Sequence, residues 1–301
     1  MLSCAQRAAR TLDNDARNER SACASARPFL KWVGGKRALL PSLCARLPPG
    51  VDRMRHVEPF AGGAALFFDR APNRALLCDV NPDLVTAYQA VRDEVEVVLR
   101  HLAELAGRHD KECYYQARVR YNAREHASDA ERAALFIYLN KTCFNGLYRV
   151  NKRGHFNVPM GRYTRPTILD ASALRRASAR LHGVDVRCAP FQALIELGRP
   201  GDFVYLDPPY EPLSRTANFT AYARDGFTQS DQRALRDLFG ELDRRGAKLM
   251  LSNADVPFVR DLYQGFRISR VLAPRAISCN PRKRAAVSEV LICNYATQGD
   301  A

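Results

Sequence analysis

Asp207-Pro208-Pro209-Tyr210 follows directly on the apolar run Phe203-Val204-Tyr205-Leu206. Two prolines at a strand end fix φ and remove two backbone N–H groups, so the chain leaves the strand rigidly and offers carbonyl oxygens instead of donors. A carboxylate, a carbonyl and an aromatic ring converge there. That set suits an exocyclic amine, which can give one hydrogen to the Asp207 carboxylate and the other to the Pro208 carbonyl, while Tyr210 stacks on the ring that bears it. The amino nitrogen of adenine is a poor nucleophile while its lone pair is conjugated into the ring. Acceptors out of the ring plane favour the pyramidal form, and Asp207 would stabilise the positive charge that develops during attack on a sulfonium methyl. An ordinary Pro-Pro turn beside a solvated aspartate is the competing reading of this motif alone.

A second constellation is Glu58-Pro59-Phe60-Ala61-Gly62-Gly63-Ala64, after a short apolar run, with Asp79 closing the next run. Glycines at a strand-to-helix turn let a ligand approach the backbone, and an acid about twenty residues onward can accept from ribose hydroxyls. The pair has the shape of an adenosine pocket, although helix–sheet contact also favours glycine. In Phe29-Leu30-Lys31-Trp32-Val33-Gly34-Gly35-Lys36, Lys36 could take the carboxylate of a sulfonium ligand and Trp32 its apolar and cationic parts. Taken alone, a core tryptophan beside a turn is the simpler reading. No GxxxxGK[ST] pattern follows a strand, so ATP hydrolysis is not supported.

These residues need a scaffold. Apolar runs at 57–60, 75–80, 203–206, 248–252 and 287–294 predict strands. Asn81-Pro82 predicts a capped helix start carrying Leu84, Tyr88 and Val91, and 230–245 predicts a second helix with Thr228 as cap and Gly246 as stop. The βα rhythm implies a parallel sheet covered by helices. It breaks after about residue 95 and resumes at Asp202. The intervening insertion predicts helices at 97–105 and 131–138, then a segment at 140–169 with six Lys or Arg and no acid. A second acid-free basic stretch spans 262–288, with Arg267, Arg270, Arg275, Arg282, Lys283 and Arg284. Residues 1–26 lack sustained apolar periodicity and read as a disordered leader or a mis-started extension.

The 301 residues carry a net charge of +14 and are 47% hydrophobic, which excludes wholesale disorder. Seven lysines against thirty-nine arginines show that coding bias accounts for part of that charge. No apolar run approaches the ~20 residues of a membrane helix, so a non-membrane protein is expected. Nine cysteines without a CxxC pair fit reduced thiols in a cytosol, and six dispersed histidines indicate no metal.

The ordered blocks FLKWVGGK, VEPFAGGAALFF, CDVNPDL, YLNKTCFNGLYRVNKRGHFNVPMGRY, YLDPPY and AISCNPRKRAAVSEVLI resemble the Dam-type DNA adenine-N6 methyltransferase family, over nearly all of the chain from Phe29 to about Tyr295. The resemblance implies an α/β, Rossmann-like sheet binding S-adenosylmethionine, with an inserted helical plus β-hairpin target-recognition domain. The implied division is 27–95 and 180–297 for the catalytic domain and 96–179 for the insertion. Trp32, Lys36, Phe60, Gly62, Asp79 and Asp207 become cofactor contacts, and Asp207, Pro208, Pro209 and Tyr210 the catalytic loop. The segment 140–163 resembles the DNA-contacting hairpin. There Asn145, Leu147, Arg149 and Pro159 fall among the DNA-binding residues, Arg149 suits a bidentate guanine contact, and Lys152, Arg153 and Arg162 suit phosphates. The implied partner is double-stranded DNA, with the target base flipped by a cytoplasmic, nucleoid-associated monomer, and the hairpin similarity implies GATC or a related short site. Ala64 departs from the pattern, which often has glycine there; a positive φ would strain it. A glutamine-N5 protein methyltransferase would carry a loop like Asn-Pro-Pro-Tyr, which Asp207 opposes. A catalytically silent DNA-binding module is the other alternative.

Overall fold

Seven strands form one sheet: β1 (His56–Glu58), β2 (Ala75–Asp79), β3 (Asp185–Cys188), β4 (Phe203–Leu206), β5 (Lys248–Ala254), β6 (Arg267–Ala273) and β7 (Val287–Cys293), in the order β3-β2-β1-β4-β5-β7-β6. The computed structural model describes residues 26–211, 227–273 and 287–297. The leader expected at 1–26, save Ala26, lies outside the described residues, as do Arg275, Arg282, Lys283 and Arg284. The strands from β3 through β5 pair in parallel, while β7 runs antiparallel to both β5 and β6. The parallel sheet expected from the βα rhythm is present, with an antiparallel pair added at one edge. Two strands escaped the sequence reading. β3 has only four residues, two of them exposed, and β6 breaks its apolar alternation with exposed Arg267 and Arg270.

β4 is apolar on both faces because both faces are covered. Val204 and Leu206 pack with Leu235, Leu238, Phe239 and Leu242, whereas Phe203 and Tyr205 pack with Leu39, Leu43 and Leu66. The helices are α1 (Leu40–Cys44), α2 (Ala65–Arg70), α3 (Pro82–Asp93), α4 (Val95–Gly107), α5 (Lys111–Ala123), α6 (Asp129–Thr142), α7 (Ala171–Leu181), α8 (Leu194–Leu197), α9 (Gln229–Arg244) and α10 (Pro257–Leu262). Asn81 Oδ1 accepts from Asp83 N and Leu84 N at the start of α3. Thr228 and Asp231 close a reciprocal capping box on α9, and Gly246 at φ +86° follows its end.

The insertion has no core of its own. Tyr114, Ala133, Phe136, Tyr138 and Val158 share one buried cluster with Leu77 of β2 and with Leu84 and Tyr88 of α3, which covers the sheet. Asp83, in the first turn of α3, accepts from Tyr121, Arg132 and Tyr148, three insertion residues. α7 runs across the division expected between residues 179 and 180, which would cut the helix in its last turn. Packing of this kind holds the insertion at one angle to the sheet.

Candidate active site

Successive strands are added to one side of β1 (β2, β3) and then to the other (β4, β5), so the parallel neighbours β1 and β4 flank a switch point at which the loops leaving their carboxyl ends lie side by side. Asp207 is the first residue beyond β4. Its Oδ1 receives Lys36 Nζ at 2.8 Å and Ser252 Oγ at 2.9 Å, and Ser252 in turn bonds the Tyr205 hydroxyl at 3.1 Å. Lys36 Nζ also donates to Gly34 O at 2.6 Å and stands 4.7 Å from the centre of the Tyr210 ring. The Asp207 side chain is 19% exposed, so it faces a recess and not open solvent, and its Oδ2 has no hydrogen-bond partner among the described residues. A half-screened carboxylate with one engaged and one open oxygen can accept a further N–H. Pro208 is buried; the Pro209 carbonyl accepts from Gln232 Nε2 at 3.0 Å, which pins the double-proline turn to α9. Tyr210 donates to Glu289 Oε2 at 2.7 Å, and burial, reinforced by the neighbouring Asp207 carboxylate, pushes its phenol well up, so it stays protonated as a donor.

The Gly-rich turn after β1 forms the second wall. Gly62 N donates to Asp79 Oδ2 at 3.0 Å, and Asn81 N to Asp79 Oδ1 at 2.9 Å. Burial pushes the Asp79 carboxyl up, against these backbone donors. Gly62 has φ +46°, and a Cβ there would stand 2.9 Å from Trp32 Cδ1. The turn is thus a cradle that only glycine leaves open. Trp32 is half-buried and stacks on Tyr148, with ring centres 5.8 Å apart, so it links this wall to the insertion as well as packing on the core. Phe60 joins a ring cluster with Phe191 and Phe227. Ala64 adopts φ +48°, ψ +44°, the left-handed conformation that its place in the Gly-rich block foreshadowed.

The basic segment of the insertion is a loosely paired loop. The expected hairpin is present as two short antiparallel stretches, around the Cys143–Met160 and Val150–Phe156 bridges, with Phe144 N donating to Pro159 O at 2.9 Å and Asn157 N to Arg149 O at 3.1 Å. Pro159 lacks a donor, and Asn145, Gly146 and Gly154 take positive φ, which breaks a ladder into turns. Asn145, Arg149, Lys152, Arg153, Pro159 and Arg162 are exposed, while Leu147 is half-buried on the core. Arg149 Nε donates to Asn157 Oδ1 at 2.8 Å, which turns the guanidinium end outward. Asn151 Oδ1 accepts from Arg153 N and His155 N and shapes the tip.

The sequence reading missed Ser252, Gln232 and Glu289. The signal for Glu289 was available: a lone acid within the apolar strand β7. A cavity of about 570 Å³ beside Arg37, Lys141 and Arg176 shares no lining residue with the Asp207 cluster. Among the described residues, no group of three or more potential ligands could hold a metal, and no helix is long and apolar enough to cross a membrane.

Residues 32–277 match the family described as D12 class N6 adenine-specific DNA methyltransferase. The chain is 41% identical over 286 residues to the Type II methyltransferase M.MjaIII of Methanocaldococcus jannaschii, covering 89% of this chain and 99% of that one. It is 39% identical over 274 residues to the Type II methyltransferase M1.LlaDCHI of Lactococcus lactis subsp. cremoris, with 89% and 95% covered. It is also 36% identical over 267 residues to the DNA adenine methylase of Escherichia coli K12, with 88% and 94% covered.

Proposed function

The chain belongs to the D12 class of N6 adenine-specific DNA methyltransferases, and from that premise we propose that it draws the methyl group from S-adenosylmethionine and takes its target adenine flipped out of duplex DNA against Tyr210. Methylation of the adenine N6 in DNA is the family activity, and it supersedes the glutamine-N5 and silent-module readings. When bound, the donor supplies an electrophilic methyl on a sulfonium. The residues present fit such a ligand. Lys36, whose ammonium already meets Asp207 Oδ1, would receive the carboxylate of a zwitterionic amino-acid tail. Asp79 accepts ribose hydroxyls, the Gly62 cradle admits the backbone approach, and Trp32 and Phe60 supply aromatic walls.

The chain's own task in the transfer is electrostatic. N6 is paired and stacked inside a duplex, so it reaches Asp207 only when the nucleotide is extruded. The amine then gives hydrogen bonds to Asp207 and the Pro208 carbonyl. With the donor held by Lys36, Asp79 and Trp32, these two acceptors would orient the N6 lone pair toward the electrophilic methyl that the donor would supply. The proton released from nitrogen goes to Asp207 or water. The +14 charge and the acid-free 140–169 segment support DNA binding through phosphates. Asn145, Leu147, Arg149 and Pro159 would then face base edges at GATC or a related short site, and Lys152, Arg153 and Arg162 the backbone, with the protein acting as a cytoplasmic, nucleoid-associated monomer.

The observation that carries the reading is the ion pair of Lys36 with Asp207 Oδ1, with Asp207 Oδ2 unpartnered among the described residues. Transfer of labelled methyl from S-adenosylmethionine to duplex DNA tests it. Asp207→Ala is expected to abolish transfer while DNA binding largely survives; near-normal turnover in that variant would refute the role of Asp207.

A further inference from the structure

We propose that Glu289 is a positioning residue for this reaction: through its hydrogen bond with the Tyr210 hydroxyl it holds that ring in the plane on which the target base stacks. The inference rests on the adenine-N6 reading above. Tyr210 lies in the loop beyond β4, and the double proline with Gln232 fixes its backbone without fixing the ring. The hydroxyl at the ring's outer end donates to Glu289 Oε2 at 2.7 Å, with the Ser252 hydroxyl as a further polar neighbour, while Lys36 covers part of the ring at 4.7 Å.

Glu289 is well suited to be that anchor. It sits on β7, where it is paired with Ala254 of β5 on one side and Val271 of β6 on the other. Its backbone is therefore held from both flanks, unlike that of a loop residue. Leu291, two residues on and on the same face, shares a buried cluster with Phe203 and Tyr205, so Glu289 projects from the same face of the sheet as these residues of the strand preceding Asp207. The Tyr210 bond is the only hydrogen bond of the Glu289 side chain among the described residues. A half-buried carboxylate costs folding free energy unless it is paired. Here the hydrogen bond goes to a residue of the catalytic loop, with the Lys36 ammonium as the nearby opposite charge. A base stacked on a ring free to swing would present N6 to Asp207 in a spread of orientations, and misplacement of about 1 Å can cost a hundredfold in rate.

The test compares wild type, Glu289→Ala, Glu289→Gln, Tyr210→Phe and the double variant Tyr210→Phe/Glu289→Ala, with methyl transfer and 2-aminopurine fluorescence at the target position as readouts. Glu289→Ala is expected to lower kcat about 10- to 100-fold, with KM for cofactor and DNA changed by less than about threefold. At equal DNA occupancy its 2-aminopurine signal rises, because the flipped base loses its stacking partner. Glu289→Gln, which keeps an acceptor for the phenol, recovers most of the rate. Tyr210→Phe, which keeps the ring and loses the anchor, reproduces the loss, and the double variant is no worse than the poorer single one. Unchanged kcat in Glu289→Ala, or additive losses in the double variant, would overturn the proposal. Should Glu289→Ala fail to fold, Tyr210→Phe decides: unaltered rate and fluorescence there overturn it equally. Wild-type protein that methylates no adenine would instead sink the underlying reading, so the two failures are distinguishable.

Discussion

The side-chain amide of Asn140 pairs with both backbone groups of Lys31, 109 residues away: Lys31 N donates to Asn140 Oδ1 at 2.8 Å, and Asn140 Nδ2 donates to Lys31 O at 2.7 Å. The same Nδ2 reaches Gly146 O at 3.3 Å. One buried side chain thereby ties the segment that carries Trp32 to the turn that opens the basic loop. The close approach is possible because Gly146 lacks a Cβ, which would stand 2.5 Å from Lys31 Cβ.

Asn140→Ala leaves the Lys31 and Gly146 groups without this partner. A loss of about 2 kcal/mol is expected, measurable by denaturant unfolding. Because the two segments would no longer be held together, discrimination between cognate and non-cognate DNA should weaken as well. Asn140→Asp keeps the acceptor and loses the donor, and should fall between the two.

Two neighbouring positions of the Gly-rich turn should respond in opposite directions. Gly62→Ala places a methyl against Trp32 at a positive φ and should weaken cofactor binding by at least about tenfold, given a cost of ~1–2 kcal/mol for the backbone alone. Ala64→Gly removes a left-handed alanine and should stabilise the fold by up to about 1 kcal/mol. Calorimetric titration of the cofactor checks the first, thermal unfolding the second.

Arg149 and Lys152 lie three residues apart and should separate specificity from affinity. Arg149→Ala is expected to lose about 1–3 kcal/mol of discrimination at one base pair. Lys152→Ala should weaken binding to all sequences and lower the slope of log affinity against log salt by about one. Binding to cognate and single-mismatch duplexes across a salt series distinguishes them. Equal losses on both duplexes for Arg149→Ala would mark it as a phosphate contact only.

The acid limb of stability should show Asp255. The Arg260 guanidinium, then the Ser288 hydroxyl, hold its carboxyl below the usual range. A carboxyl lowered by folding contributes stability above its unfolded value of about 4, and that contribution is lost as pH falls through the folded value. Asp255→Asn should therefore be less stable than wild type near pH 7, with the gap closing below about pH 4. Unfolding curves across that range provide the check.

Much of this molecule is legible from local sequence. The apolar runs that became β4 and β5, the Asn81 and Thr228 caps, and the chemistry of Asp207-Pro208-Pro209-Tyr210 all follow from residue types and spacings of a few positions. The Ala64 strain was legible too, since a left-handed turn conformation is a local property. The antiparallel placement of β7, the Lys36–Asp207 pair, the Ser252 bond and the Glu289 anchor were decided only by tertiary structure. Each joins residues tens to more than a hundred positions apart. Strand order and register, which no short window of sequence encodes, choose which side chains meet. The hairpin pairs only in short stretches, because a basic, Gly- and Asn-rich segment with a proline in one arm interrupts the ladder with turns. Local chemistry thus singled out the Asp207-Pro208-Pro209-Tyr210 loop as the candidate site, and the folded sheet determined which neighbours hold it in place.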